Sequence, residues 1–259
     1  MHEVFENCTP HVVFHAAALK HVTFLERYPA EAVKTNVIGT ANVLEMAALH
    51  GVERFVNIST DKAADPVNVL GMTKRIGEML TAGYAFNGMT AMSVRFGNVL
   101  GSSGSVIHTF RAQILRGGPI TVTHPDVTRF FMSIEEAAYL VVQAAAVGRS
   151  GEVMVLEMGK PVRIVDLAHN LIAELDPGGD IPLEYTGLRP GEKLHEVLVG
   201  SADRFTGSPH EGMSSYAVPY LDPAVVEGID TDDTNTLRSR LEWIIEAHTT
   251  TAAVLDDLV

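Results

Sequence analysis

Cysteine is nearly missing from this chain: Cys8 stands alone in 259 residues. An internal disulfide is therefore excluded, and a reducing compartment is the natural fit. Neither Cys8 nor any of the 11 histidines falls in a metal-ligand spacing, so no metal is expected. No apolar run approaches the roughly 18 residues that cross a bilayer, so no membrane span is expected. The first residues, MHEVFENCTPH, offer neither a basic start nor an apolar stretch; no secretory leader is expected, and the expected location is the cytoplasm. Positive charge is scarce as well, with 19 Lys and Arg against 32 Asp and Glu. The deficit lies after residue 120, where nine cations face 23 anions; the first 120 residues hold ten and nine. A surface with so few cations releases few counterions, which excludes nucleic acid as a partner class. A G-x-G-x-x-G dinucleotide loop is also lacking. The only glycine cluster, Gly97, Gly101 and Gly104, is spaced G-x-x-x-G-x-x-G, which is the wrong spacing for such a loop.

What is present is a globular pattern, 46% hydrophobic and 20% charged, long enough to bury a large core. Residues 11–18 read as a buried strand leading into small residues. A helical stretch over 29–50 opens at Pro29, with Val33, Val37, Val43, Leu44 and Ala47 near helical spacing. Strand 54–60, a helix over 68–86 and strand 91–99 follow, the last ending in the Gly/Ser loop 101–105. This alternation predicts an α/β fold with a parallel, doubly wound sheet. Further on come a helix near 106–116, a strand over 119–123 and a helix over 133–147 with a Ser133/Glu136 capping box. A strand over 153–158 and a helix over 164–175 complete the regular part. Residues 201–235, rich in Gly, Pro, Ser and Asp, read as irregular. A last helix covers 236–248, with Leu237, Leu241, Trp243 and Ile244 as packing positions.

The chemistry concentrates in VNISTDK, residues 56–62. An apolar run there ends in a hydroxyl pair, a carboxylate and an ammonium, and Lys74 follows on a helix. Polar groups at the carboxyl end of a strand are where open α/β sheets keep their ligand chemistry. Asp61 and Lys62 can act as an acid/base pair, while a capped strand end with solvated charges is the bland alternative. His15 reads as a satisfied core histidine. Arg129 and Arg189 carry a fixed fork of donors that suits paired anionic oxygens, or pair with nearby acids.

The strings HVVFHAAALKHV, TNVIGTANVLEMA, STDKAADPVNVLGMTKR, VRFGNVLGSSGSVI, TRFFMSIEEA and GLRPGEKLHE together cover most of residues 10–200. They resemble the extended short-chain dehydrogenase/reductase superfamily, and within it the polysaccharide-biosynthesis, CapD-like branch of UDP-N-acetylglucosamine 4,6-dehydratase type. The resemblance implies a Rossmann-like sheet, incomplete at its N-terminal side, with a small C-terminal substrate-binding portion. By it, residues 1–105 form a partial NAD(P)-binding domain with the catalytic segment. Residues 106–200 form a nucleotide-sugar portion interleaved with the last Rossmann elements, and 201–259 an acidic irregular segment and a helix. Thr60, Asp61, Lys62 and Lys74 are the implied catalytic residues. Ala16, Ala17, Ala18, Asn36, Lys74 and Phe96 are implied to hold the cofactor. Lys20, His21, Asn98, Ser105, Val106, Thr121, Val122, Thr123, Arg129, Arg189 and Glu192 are implied to hold a UDP-sugar.

Two departures from the family pattern qualify this. Leu70 stands where a Y-x-x-x-K pair with Lys74 has its tyrosine, and an isobutyl group transfers no proton. Part of the family carries methionine there and is competent; leucine is a further departure, which shifts the burden to Thr60, Asp61 or a bound water. The glycine-rich opening is also absent, which implies a truncated form that works as a homo-oligomer or beside a fuller homologue. A non-catalytic partner and a UDP-sugar 4-epimerase are the competing readings; an epimerase needs no C5–C6 acid/base pair. Weak affinity for NAD or NADP is the expected outcome. Tight retention of either by the purified 259-residue chain contradicts it.

Overall fold

The structure, a computed structural model, describes residues 1–85, 88–102 and 104–256, with side chains through residue 249. Its contacts group the chain into two units. The first comprises Met1–Phe96, Leu140–Glu157 and Val197–Val259; the second comprises Gly97–Tyr139 and Met158–Glu196.

The first unit is built on six strands: β1 (Val12–His15), β2 (Arg54–Ile58), β3 (Thr90–Arg95), β4 (Glu152–Leu156), β5 (Arg204–His210) and β6 (Met213–Ala217). They lie in the order β1-β2-β3-β4-β6-β5. The first four run parallel, as the βα alternation predicts, because parallel neighbours need a crossover segment between them. β4 is buried along its whole length and β2 over its three central residues, the pattern of strands covered on both faces. β1 departs from the expectation of a buried strand: it is an edge strand, and Val12 and Phe14 are exposed. Register aligns His15 with Asn57 and Ile58 with Val94. The carboxyl ends of β1, β2 and β3 therefore lie side by side, and their following loops meet at one edge of the sheet.

The segment between β1 and β2 starts its helix at Pro29, whose missing N–H and fixed φ suit a first turn. It continues through a π-helical turn, Val33–Ile38, into the helix Gly39–Leu49. Between β2 and β3 runs the helix Val69–Tyr84, capped by Asn68 Oδ1, which accepts from Gly71 N at 2.7 Å. Phe86, the expected end of this helix, lies outside the described residues, as does Ser103 in the 101–105 loop. Nearly every residue of Val69–Tyr84 is buried, so its polar members must find partners inside. The apolar ones, with Leu44, Phe55 and Leu241, form the core of this unit.

Three expectations are corrected here. Residues 201–235 are not all irregular, since β5 and β6 form an antiparallel hairpin that extends the sheet. The ladder shifts register around Gly207, and that bulge with Pro209 hides the strand period in the sequence. Strand 91–99 ends at Arg95; Asn98–Val99 pairs instead with Phe131–Met132 in the second unit. The last helix runs Leu237–Asp256 and buries Leu237, Leu241 and Ile244, but Trp243 stays exposed with the Arg240 guanidinium 4.5 Å from its ring centroid.

In the second unit, Ile120–Val122 pairs in parallel with Leu183–Tyr185, and Thr128–Arg129 pairs antiparallel with Val162–Arg163. The helices Val106–Ile114 and Ile164–Leu175 close a small core around Phe110, Ile120, Val122, Ile164 and Leu171. The helix Ile134–Val147, with Ser133 Oγ accepting from Glu136 N at its start, is divided between the two units. Among the described residues no helix is long and apolar enough to cross a membrane.

Burial decides which position on the last helix matters. Leu241→Ala is expected to destabilise by about 2–5 kcal/mol, and Trp243→Ala by about 0.5–1 kcal/mol, the range of an exposed cation–π contact. Urea denaturation followed by circular dichroism checks both, and equal losses contradict the assignment.

Candidate active site

Past the end of β2 the chain turns at once into a single 3-10 turn, Asp61–Ala63, with Thr60 as its cap. The Thr60 hydroxyl donates to Asp61 Oδ1 at 2.9 Å and accepts from Lys62 N at 3.5 Å. Lys62 Nζ donates to the same Oδ1 at 2.9 Å. Asp61 is fully buried, while Lys62 keeps some exposure. The second carboxylate oxygen, Asp61 Oδ2, is buried with no hydrogen-bond partner among the described residues. A buried charged oxygen left open is expensive unless something else uses it, so it is an available acceptor.

The helix Val69–Tyr84 comes very close to this turn. A Cβ on Gly71 would collide with the Lys62 carbonyl oxygen, so only glycine lets the first helical turn pack there. Leu70, at the tyrosine position, is buried among apolar neighbours. One turn on, Lys74 is buried and makes no hydrogen bond among the described residues. Burial holds its pKa down at about 8, against 10.5 for an exposed lysine, while nearby Glu78 partly offsets the shift. His15 is held neutral, with its pKa lowered to about 4 by burial and then by the charge of Lys74. The Thr40 hydroxyl donates to Asn36 O at 2.7 Å, so it can only accept from His15 Nε2, 3.1 Å away. His15 is thus a core histidine carrying its proton on Nε2, as its sequence context suggests.

After β1 the loop Ala16–Ala18 is exposed, as are Lys20 and His21. Asn36 fastens this loop: its Oδ1 accepts from Leu19 N at 2.8 Å and its Nδ2 donates to Leu19 O at 3.0 Å. Nδ2 also donates to Thr73 Oγ1, 3.2 Å away, which ties the loop to the residue before Lys74. Phe96 lies just past β3, and its carbonyl accepts from Asp61 N at 2.9 Å. The first unit therefore gathers Ala16–Ala18, Asn36, Thr60, Asp61, Lys62, Lys74 and Phe96 around one sheet edge.

Beneath them lies a group of charges to which no motif pointed. Arg95, with no exposed surface, grips Glu78 with Nε and Nη2 at 2.9 and 2.6 Å and Asp203 with Nη1 at 2.6 Å. Arg75 Nη1 bridges the same two carboxylates at 3.1 and 2.8 Å. Two cations and two anions leave the group neutral, which is what a dry interior requires. The two arginines hold the Asp203 carboxyl below the usual carboxylate range, against the opposing effect of burial.

The second unit assembles its own cluster. Arg129 Nη2 donates to Glu192 Oε1 at 3.1 Å, and the Thr123 hydroxyl donates to the same oxygen at 3.0 Å. Glu192 Oε2 accepts from Arg189 N at 3.2 Å, while the Arg189 residue itself is exposed. Thr121 is held by Gln113, whose Nε2 donates to Thr121 Oγ1 at 2.8 Å; Gln113 escaped the sequence reading because a half-buried helical glutamine carries no signal. Val122 is core. Asn98 N donates to Phe130 O at 2.9 Å. Ser105, which precedes Val106 at the start of its helix, has a buried Oγ with no partner among the described residues. Among the described residues no group of three His, Cys, Asp or Glu could hold a metal.

A family model described as polysaccharide biosynthesis protein matches residues 1–217. The probable polysaccharide biosynthesis protein EpsC of Bacillus subtilis (strain 168) is 53% identical over 201 residues, 77% of this chain and 34% of that protein. The UDP-glucose 4-epimerase of Rickettsia akari is 40% identical over 195 residues, 74% of this chain and 56% of that one. The chain thus spans about a third of the first relative and just over half of the second. Among solved structures, Pen from Bacillus thuringiensis superposes with a TM-score of 0.78 and 34% identity, covering 86% of this chain and 72% of that one.

Lys74 gives the site a pH signature. Its pKa is lower folded than unfolded, so the folded chain binds fewer protons and stability rises with pH between about 8 and 10.5. At pH 7 the buried ammonium carries its full penalty. Lys74→Met is expected to be more stable than wild type there, by on the order of 1–3 kcal/mol. The gap narrows as pH climbs through that window, and a pH-independent gap in denaturation midpoints contradicts this.

Proposed function

This chain belongs to the polysaccharide biosynthesis protein family of the extended short-chain dehydrogenase/reductase superfamily, and on that premise we propose that it acts on a UDP-sugar as a 4,6-dehydratase. The observation that carries the reading is the Asp61–Lys62 pair: a fully buried carboxylate with one open oxygen, joined to a partly exposed ammonium at 2.9 Å. Removing water across C5 and C6 of a hexose needs a base for the C5 proton and an acid for the departing C6 hydroxyl. Asp61 Oδ2 and Lys62 Nζ are a base and an acid placed within one turn of chain.

Leu70 cannot take the C4 hydroxyl proton, and Thr60 offers a substitute. Its hydroxyl proton already points at Asp61 Oδ1, which leaves an oxygen lone pair free to accept from a sugar hydroxyl. A proton taken there can pass through Asp61 Oδ1 to Lys62 as the partly exposed ammonium gives one up to water, which returns the carboxylate to its basic form before the elimination. NAD or NADP, when bound, supplies the hydride acceptor and donor for this chemistry. The open ammonium of Lys74, the small side chains of Ala16–Ala18 and Phe96 suit its nicotinamide ribose end, with Asn36 fastening the loop behind. In the second unit, Arg129, Arg189, Glu192, Thr121 and Thr123 suit the uridine diphosphate, with donors for phosphate and a carboxylate for ribose hydroxyls. Asn98 and Ser105 of the same unit add further polar groups; in the first unit, Lys20 and His21 are exposed polar side chains suited to sugar hydroxyls.

A 4-epimerase is the second reading, favoured by the 40% identity to the Rickettsia protein of that name. The test supplies NAD or NADP in excess with UDP-N-acetylglucosamine and follows the product by mass spectrometry. Loss of one water is expected, and kcat is expected to fall at least about a hundredfold in Asp61→Asn and in Lys62→Ala. Inversion at C4 without loss of water, surviving removal of both charges, moves the assignment to the epimerase. Nucleotide-sugar binding with no turnover under any condition moves it to a non-catalytic partner.

A further inference from the structure

We infer that Ser59, tied through Glu78 to the buried Arg95–Asp203 pair, is the positioning residue that holds the Asp61–Lys62 pair in place; this rests on the reading of that pair as the acid and base. Among the described residues the Asp61 side chain bonds only to its sequence neighbours, Thr60 and Lys62. Nothing in those bonds fixes it to the rest of the fold. The placement of the carboxylate must come from the chain on either side of the turn.

On the near side, the main chain is pinned to the continuation of β3. Ser59 N donates to Val94 O at 2.7 Å and Asp61 N to Phe96 O at 2.9 Å. Arg95 lies between those two carbonyl-bearing residues. Ser59 Oγ donates to Glu78 Oε1 at 2.6 Å. With Arg95 and Arg75 also donating, each Glu78 oxygen accepts two bonds. Ser59 is thereby the side chain that joins the catalytic turn to the charge group.

On the far side, Asp65 has φ 44°, a left-handed conformation that a non-glycine residue keeps only when its surroundings enforce it. Ser201 enforces it: its N and its Oγ each donate to Asp65 Oδ1 at 2.8 Å. The segment bearing Ser201 is fixed to the same charges, since Arg95 Nη1 donates to Leu198 O at 2.9 Å and Gly200 N to Asp203 Oδ2 at 2.7 Å. Both ends of the turn, Ser59 and Asp65, thus return to Arg95 and Asp203.

The test compares Ser59→Ala and Ser59→Thr in the full chain by amide hydrogen exchange and by kinetics. Ser59→Ala is expected to speed exchange at the Asp61 and Ala63 amides at least about tenfold, the scale of one lost hydrogen bond to a charged group. Exchange in β4 stays unchanged, kcat falls by a similar factor and KM holds within about twofold. Ser59→Thr, which keeps the hydroxyl, restores both readouts. Unchanged exchange at Asp61 and Ala63, or an equal rise in β4, overturns the inference. Should Ser59→Ala not fold, Ser201→Ala, on an exposed residue, applies the same comparison at the other end of the turn. If the wild type turns over no UDP-sugar, the proposed function fails while the exchange result still decides this inference.

Discussion

A guanidinium with no exposed surface cannot stand alone, and the arrangement of the first unit follows from how Arg95 is answered. Its five donors require anions from several directions. Glu78 comes from the helix between β2 and β3, and Asp203 from a segment more than a hundred residues later. Arg75 balances the second negative charge. The helix, β3 and the segment before β5 are therefore bound to one neutral group. Substituting any one member leaves a buried charge without its counterpart, a far larger perturbation than the loss of a surface ion pair.

The Asp61–Ala63 turn rests on this base, and its own composition trades stability for open polar groups. Asp61 keeps an unsatisfied oxygen in the interior, and Lys74 keeps an ammonium where burial works against it. Gly71 is required because the helix start and the Asp61–Ala63 turn are in contact with no room for a Cβ. The rigid, fully satisfied charges lie below, and the open ones face the sheet edge where ligands bind in folds of this kind.

Much of this was legible in the sequence where the signal is local. The Ser59–Lys62 string ends a strand in polar residues, and the helix Ile164–Leu175 shows its period without interruption. The hairpin β5–β6 was not legible, because Gly207, Pro209 and the serines around them carry a turn signature while the chain stays extended through a bulge. Trp243 read as core because an apolar residue at helical spacing gives no sign of which face it takes. The charge group left no trace at all. Arg75 and Glu78 look like an ordinary surface pair three apart on a helix, and only the fold brings Arg95 and Asp203 to them. Asn36 likewise appears in a string shared with the family, but its work of clamping Leu19 depends on contacts 17 residues apart.

The central claim is that Asp61 and Lys62 move a proton at C5 of a UDP-sugar. Turnover in deuterium oxide, with NAD or NADP and UDP-N-acetylglucosamine supplied, reads that step directly by nuclear magnetic resonance. The account predicts solvent deuterium at C5 of the product, lost when the Asp61 carboxylate is replaced by an amide. Product bearing the original hydrogen at C5, with change confined to C4, contradicts it.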